Sequence, residues 1–304
     1  MKQELFPEIA DSGLRIDKYL STVNEQLSRS YIQKLLKSGL VLVDGKPVKA
    51  SYQIDEGDVI SLDIPEAVEP EIEPENMDLD ILYEDQDVIL VNKPKGMVVH
   101  PAAGHYSHTL VNGLMYHCKD QLSGINGVMR PGIVHRIDMD TTGVIIACKN
   151  DMAHNSIAAQ LKEHSITRKY RAIVYGVIKE DEGTVDAPIG RHPVDRKKMS
   201  INEKNGRHAV THYRVLKRFS KYTYIECRLE TGRTHQIRVH MASIHHPLVG
   251  DTVYGPEKSP FHLQGQTLHA GVLGFIHPRT GEYMEFTAPL PQYFTELLQK
   301  LENM

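Results

Sequence analysis

The chain has 304 residues, 40% of them hydrophobic and 24% charged, which describes a soluble globular protein of more than one domain with a sizeable core. Its net charge of −4 excludes a uniformly basic nucleic-acid coat, but the sum hides an uneven distribution: net −2 over residues 1–64, −7 over 65–80 and +5 over 81–304. No run of 18 apolar residues suits a membrane-spanning helix, the first residues lack the apolar stretch of a secretory signal, and three scattered cysteines (Cys118, Cys148, Cys227) suit a reduced, cytoplasmic setting with no disulfide or zinc framework.

In chain order, "LRIDKYLSTVNEQL" spaces Ile16, Tyr19, Leu20, Val23 and Leu27 at helical intervals. A second helix follows in "SRSYIQKLLKSG", with Ser28 or Ser30 as cap, Ile32, Leu35 and Leu36 as apolar face and Gly39 as stop. "LVLVDGKPV" reads as a hairpin turning at Asp44-Gly45, and "GDVISLDI" as a further strand. These stretches resemble the S4 RNA-binding domain. The resemblance implies a compact S4-like unit over residues 1–64 that meets structured RNA through its helix pair, with Arg15, Arg29, Lys34 and Lys37 as contacts. A net charge of −2 is a departure from that expectation.

"PEAVEPEIEPENMD", residues 65–78, holds three prolines and five glutamates and no positive charge. It reads as an extended acidic linker and a domain boundary. From Leu79 onward strand signals dominate: around 80–83 and 87–92, on both sides of the loop in "GIVHRIDMDTTGVIIACKN", in "TRKYRAIVYGVI", and in a long hairpin turning near Phe219–Lys221. Helices are expected over 151–163 with Asp151 as cap, in "THQIRVHMAS", and in the terminal "QYFTELLQKLE". The mixture lacks a regular strand–helix alternation. The fold class is therefore α+β, with a mainly antiparallel mixed sheet over 79–304 rather than a doubly wound one.

Several patterns bear on chemistry. Asp138 stands beside His135 and Arg136, and a neighbouring cation holds a carboxylate ionised, as a nucleophile or base requires. The plainer alternative is a loop carboxylate capping amides. Histidines cluster in "VHPAAGHYSH", "RTHQIRVH" and "HH", but without the spacing or acidic partner of a metal motif. Cys148, inside the apolar run "VIIACKN", reads as an inert buried thiol. In "TGRTHQIRVH", Gly232 allows a tight approach and Arg233 stands at the start of the expected helix, available to a carboxylate or phosphate. Residues 191–221 carry ten Lys/Arg against two acids, either a phosphate-contacting surface or a solvated charged hairpin.

Together "VNKPKGMVVHP", "GIVHRIDMDTTGVIIACK", "RKYRAIVYG", "LETGRTHQIRVHMASIHHPLVGDTVYG" and "LHAGVLGFIHPRTGEYMEFTAPLP" resemble the blocks of the RluA/RluD family of pseudouridine synthases, in the family's order. The resemblance implies an isomerase that converts uridine to pseudouridine in RNA. Asp138 would be the catalytic aspartate, Tyr170 would stack on the target uracil, and Arg233 would pair with Asp138. Arg136 would help displace the base, and Ile237 would wall the pocket. The isomerisation needs no cofactor and no metal. The S4-like module points to large-subunit ribosomal RNA, with tRNA as the alternative substrate. A non-catalytic ribosome-assembly factor and a histidine-built metal hydrolase are the alternative activities. The expected state is a cytoplasmic monomer with RNA as partner and no membrane association.

Overall fold

The computed structural model describes residues 2–24, 27–64, 72–102, 104–125, 130–195 and 198–304. The chain divides into two compact units, Met1–Pro70 and Glu71–Met304. The division falls inside the expected acidic linker. Residues 65–71 of that linker lie outside the described residues, but its second half is part of the larger unit. Ile72 is buried there, Glu75 N–H donates to the Asn112 carbonyl, and the Glu75 carboxylate accepts from His108 N–H. An apolar anchor and two satisfied backbone groups turn an acidic, proline-rich stretch into a strap on the domain surface.

In the first unit, helices α1 (Ile16–Val23) and α2 (Arg29–Lys37) pack on a four-stranded antiparallel sheet of β1 (Lys2–Leu5), β2 (Val41–Val43), β3 (Lys46–Pro47) and β4 (Ile60–Asp63), in the order β1-β4-β2-β3. Ser28 caps α2 by accepting from Tyr31 N–H, as its residue type favours. Asp44 and Gly45 both take positive φ, 50° and 74°, the geometry a two-residue hairpin turn needs. Ile16, Leu20, Ile32, Val41, Ile54 and Ile60 are fully buried and form the core. The first strand, in "KQEL", is absent from the sequence-based expectation; it is short and half exposed, and pairs with β4.

The second unit contains β5 (Ile81–Glu84), β6 (Val88–Lys93), α3 (Leu110–Cys118), β7 (Thr142–Cys148), α4 (Asp151–Lys162), β8 (Thr167–Tyr175), β9 (Glu182–Asp186), β10 (Ile189–Arg191), β11 (Met199–Ile201), β12 (Val210–Arg218), β13 (Tyr222–Leu229), α5 (Gln236–Ser243), β14 (Leu268–Ile276), β15 (Tyr283–Thr287) and α6 (Gln292–Glu302). Nine strands form one sheet in the order β5-β6-β7-β14-β8-β13-β12-β9, with β15 also on β14. Every pair is antiparallel except β7 with β14. Strand β7 is buried along its whole length because both faces are covered: Ile145 and Ala147 enter one core, Val144, Ile146 and Cys148 the other. Its apolar run therefore reads continuously rather than alternating.

Two local expectations change. The segment before the 134–142 loop forms only a single bridge, Ile133 with Ala147, in place of a strand. Helix α4 is capped by Asn150, which accepts from Ala153 N–H, while the Asp151 carboxylate accepts from the Ser123 hydroxyl.

Candidate active site

Three neighbouring strands build the floor. Gly143 of β7 faces Ala270 of β14, and Ala270 faces Tyr170 of β8. Gly143 sits at φ 108°, and a Cβ there would strike the Ala270 backbone, so only glycine lets β7 close against β14 at this point. The loop that feeds β7 carries Arg136 and Asp138, and is thereby held over Tyr170.

That loop is pinned from below. Lys93 is wholly buried, and its ammonium donates to the carbonyls of Pro94, Met97 and Met139, the last at 2.9 Å. Burial pushes Lys93 down to about 7 against the pull of Asp140 and Asp138, while three carbonyl acceptors match the three hydrogens of its charged form. Thr141 N–H closes a turn on the Asp138 carbonyl, and Gln266 bonds the Thr141 hydroxyl. His135 accepts from Ile146 N–H. Burial, with the charge of Arg168 nearby, brings it down to about 3, so it is neutral. Asp140 is partly buried in the same loop, and burial raises its carboxyl despite Lys95 and Lys93.

Above this floor lies a cleft of about 840 Å³. All five catalytic-unit residues singled out from the sequence line it: Arg136, Asp138, Tyr170, Arg233 and Ile237. Tyr170 and Ile237 are almost wholly buried, and Arg136 is exposed. Burial keeps the Tyr170 phenol above its usual range and hence neutral.

The expected partner of Asp138 is corrected. Arg238 Nη1 donates to Asp138 Oδ2 at 3.0 Å, whereas Arg233 donates Nε to the His208 carbonyl at 3.0 Å. The reason is where α5 begins. His235 takes φ +57°, the helix starts at Gln236, and the Gln236 side chain folds back to accept from Arg233 N–H and the Thr231 hydroxyl. Arg233 is thus left in the turn before the helix, while Arg238, inside it, points at the carboxylate.

Arg238 is fixed from its other side by Asp251, which accepts from Nε at 2.7 Å and Nη2 at 3.0 Å. Asp251 also accepts from the backbone N–H groups of Val253 and Tyr254. Burial opposes the charge on Arg238, but Asp251 and Asp138 outweigh it. His235 Nε2 stands 3.9 Å from Asp138 Oδ1, and its Nδ1 bonds the Tyr254 hydroxyl, which also accepts from Met199 N–H. Burial keeps His235 neutral.

Among the described residues, seven Lys/Arg line the cleft against one carboxylate, Asp138. The cleft is electropositive although the chain is acidic. By contrast, part of the basic 191–221 stretch is ion-paired: Arg214 with Glu226, Lys217 with Glu302 and Arg218 with Asp181, and among the described residues only Arg207 of it reaches the cleft. Arg196 and Lys197 lie outside the described residues. The charged-hairpin reading holds for the strands. In the first unit, Arg15 and Arg29 both bond the wholly buried Asp17 and remain about half exposed; Lys34 and Lys37 are exposed.

Among the described residues, one group could hold a metal ion by proximity: Asp85, Asp87 and His277. Arg279 already makes two bonds to Asp87, and His277 bonds Asp85, so the group is a closed ion-pair cluster. It includes none of the histidines singled out from the sequence.

The sequence that builds this sheet and its basic cleft matches a known family. The family described as RNA pseudouridylate synthase matches residues 87–243, and the S4 domain matches residues 14–60. The chain belongs to the RNA pseudouridylate synthase family, with an S4 domain ahead of the catalytic domain; it is an RNA pseudouridine synthase, an isomerase. It is 58% identical to the uncharacterized RNA pseudouridine synthase YlyB of Bacillus subtilis, over 95% of this chain and 94% of that protein. It is 48% identical to ribosomal large subunit pseudouridine synthase D of Zymomonas mobilis, over 95% and 94% of the two chains. Human RNA pseudouridylate synthase domain containing 1 superposes with a TM-score of 0.58 at 25% identity, covering 76% of this chain and 97% of that one.

Arg238, the partner of Asp138, was not singled out from the sequence. A signal was present: an arginine flanked by Ile237 and Val239 in a helical stretch is a charge that the fold must pair.

Proposed function

We propose that the cleft receives a uridine turned out of large-subunit ribosomal RNA and that Asp138 performs its isomerisation. The observation that carries this reading is the single carboxylate in a basic cleft, clamped by Arg238 beside Tyr170. Two relatives named ribosomal large subunit pseudouridine synthase D, at 48% and 44% identity over nearly the whole chain, support the substrate assignment.

The surrounding cations attract the RNA backbone, and lifting a base from folded RNA costs a few kcal/mol. Tyr170 offers an aromatic face to the extruded uracil, Ile237 an apolar wall, and exposed Arg136 a side chain to fill the space the base leaves. The N1–C1′ bond of uridine breaks, the uracil turns, C5 bonds to C1′, and the C5 proton is lost while N1 gains one; atoms balance within the nucleotide. An ionised Asp138 serves either attack at C1′ or removal of the C2′ proton, and the Arg238 cation favours that ionised form in both. Tyr170, neutral and close to the base, relays the C5 proton to solvent. The reaction calls for no cofactor or metal, and the protein works as a monomer in the cytoplasm.

The test is tritium release from [5-³H]uridine-labelled large-subunit rRNA transcript. Wild-type protein is expected to release tritium, and Asp138→Asn to be slower by at least about 10³-fold with unchanged RNA binding. Equal rates would refute the assignment.

A further inference from the structure

Arg168 is a buried cation with no anion beside it. It is 6% exposed, lies two residues before Tyr170 on the same buried face of β8, and lines the cleft. Its Nη2 donates to the Glu230 carbonyl at 2.8 Å, and its Nε is buried without a partner. Among the described residues no carboxylate pairs with it, and the neighbours that titrate offer no charge: His135 and Tyr170 are both neutral. His135 cannot accept from it either, because its Nε2 already accepts from Ile146. A guanidinium stays charged under these conditions, and an unpaired buried charge is costly enough that something must meet it.

The chain makes room for this group. A Cβ at Gly232 would lie 2.6 Å from Arg168 Nη1, so the glycine of "TGR" lets the guanidinium approach the turn before α5 end-on. At the mouth of the same cleft stand exposed Lys162 and His164, on the turn that leads into β8. An exposed lysine and a pre-oriented buried arginine on one cleft form a graded path for an anion. Arg238, by contrast, already has two carboxylate partners, Asp138 and Asp251. Two positions along a strand span about 6.6 Å. That is comparable to the reach from a base to the phosphate of its own nucleotide.

We propose that Arg168 is the phosphate anchor of the cleft: it binds a phosphodiester flanking the target uridine while the base lies against Tyr170. This rests on the reading of the cleft as the uridine site. Nη2 is held by a backbone carbonyl and Nη1 makes no hydrogen bond among the described residues, which leaves a charged donor suited to a phosphate oxygen. The anchor fixes how deep the nucleotide seats, and hence the alignment of its C1′ with Asp138.

The experiment crosses Arg168→Gln with RNA bearing a neutral methylphosphonate at the linkage 5′ or 3′ of a uridine that the wild type converts, read as single-turnover rate and RNA affinity. For wild type, one of the two neutral linkages is expected to lower the rate or affinity about tenfold or more. Arg168→Gln should show a comparable loss on natural RNA and little further loss on the neutral linkage. Arg168→Lys, which keeps the charge, provides the same reading should glutamine destabilise the fold, with a methylphosphonate penalty smaller than wild type's. An undiminished penalty in Arg168→Gln, or wild-type rates for that variant, would overturn the anchor; the first result would leave Arg168 with an uncharged acceptor such as a uracil carbonyl. A wild-type protein that forms no pseudouridine would instead sink the uridine-site reading together with the anchor, and the wild-type arm separates that failure from this one.

Discussion

Each unit of the protein contains a carboxylate–arginine cluster, and the two are built inside out relative to one another. In the S4 unit the carboxylate is hidden: Asp17 is wholly buried, and Arg15 and Arg29 close on it with about half of each side chain in water. In the catalytic unit the arginine is hidden: Arg238 is 7% exposed between Asp251, which is wholly buried, and Asp138, which is 18% exposed to the cleft. The group left facing solvent tells what each cluster presents. One offers guanidinium surface, suited to an RNA backbone; the other offers one oriented carboxylate, suited to chemistry on a nucleotide. Under the proposed function, ion pairs of similar composition serve a binding face in one place and a reactive group in another.

The largest expected effect breaks the catalytic cluster. Arg238→Met leaves Asp251 buried without its counter-charge, and should cost about 3–5 kcal/mol in urea unfolding and abolish pseudouridine formation. Arg233→Met should leave the unfolding midpoint and the saturated single-turnover rate intact and weaken RNA binding by no more than about tenfold. If Arg233→Met proved the more damaging change, Asp138 would have a different functional partner from the one its geometry indicates.

Breaking the S4 cluster is expected to cost less. Asp17→Asn removes the negative charge and one of the two oxygens that accept from the guanidiniums, and should lower stability by about 1–3 kcal/mol, while the saturated single-turnover rate stays at its wild-type value. A rate loss to match the stability loss would show that the two clusters do not divide binding from chemistry.

The same cluster has a pH signature. Burial pushes the Asp17 carboxyl up, but hydrogen bonds from Arg15, Gln33 and Arg29 outweigh it and bring it down from 3.8 to about 2. Its folded-state value lies below its unfolded one, so its contribution is fully present above about pH 4 and is lost as pH falls through about 2. The NMR titration midpoint of Asp17 should therefore fall near 2; a midpoint at the usual aspartate value would mean the guanidiniums do not hold it.

The smallest effect concerns the free cations of the S4 helix pair. Lys34→Ala and Lys37→Ala should each reduce the salt-dependence slope of RNA binding by about 1 if each lysine meets a phosphate. An unchanged slope for both would remove this helix from the RNA face.

The loop that carries Asp138 and the strand after it were readable because a buried β-run follows a polar segment, while the expected strand before it is only a single bridge. Asp138, in the loop before β7, and Tyr170, inside β8, stood out through the resemblance to a family's blocks; period and residue type alone left Asp138 as a capping carboxylate. The partner of Asp138 was not readable in that way. It lies a hundred positions away, and choosing Arg238 over Arg233 depended on the left-handed turn at His235 that starts α5 at Gln236. The acidic strap misled for a similar reason: composition describes Ile72–Met77 as linker, and only its partners His108 and Asn112 show that it is packed. Arg15 and Arg29 were legible as exposed cations, but their shared hold on Asp17 required knowing how α1 meets α2.

The central claim is that Asp138, held by Arg238, isomerises uridines of large-subunit rRNA. It is tested most directly by mapping pseudouridines in rRNA from the native host with the chromosomal copy changed to Asp138→Asn. The account expects discrete pseudouridines in large-subunit rRNA to disappear while the variant protein persists at normal abundance. An unchanged large-subunit map, with losses elsewhere or none, would contradict it.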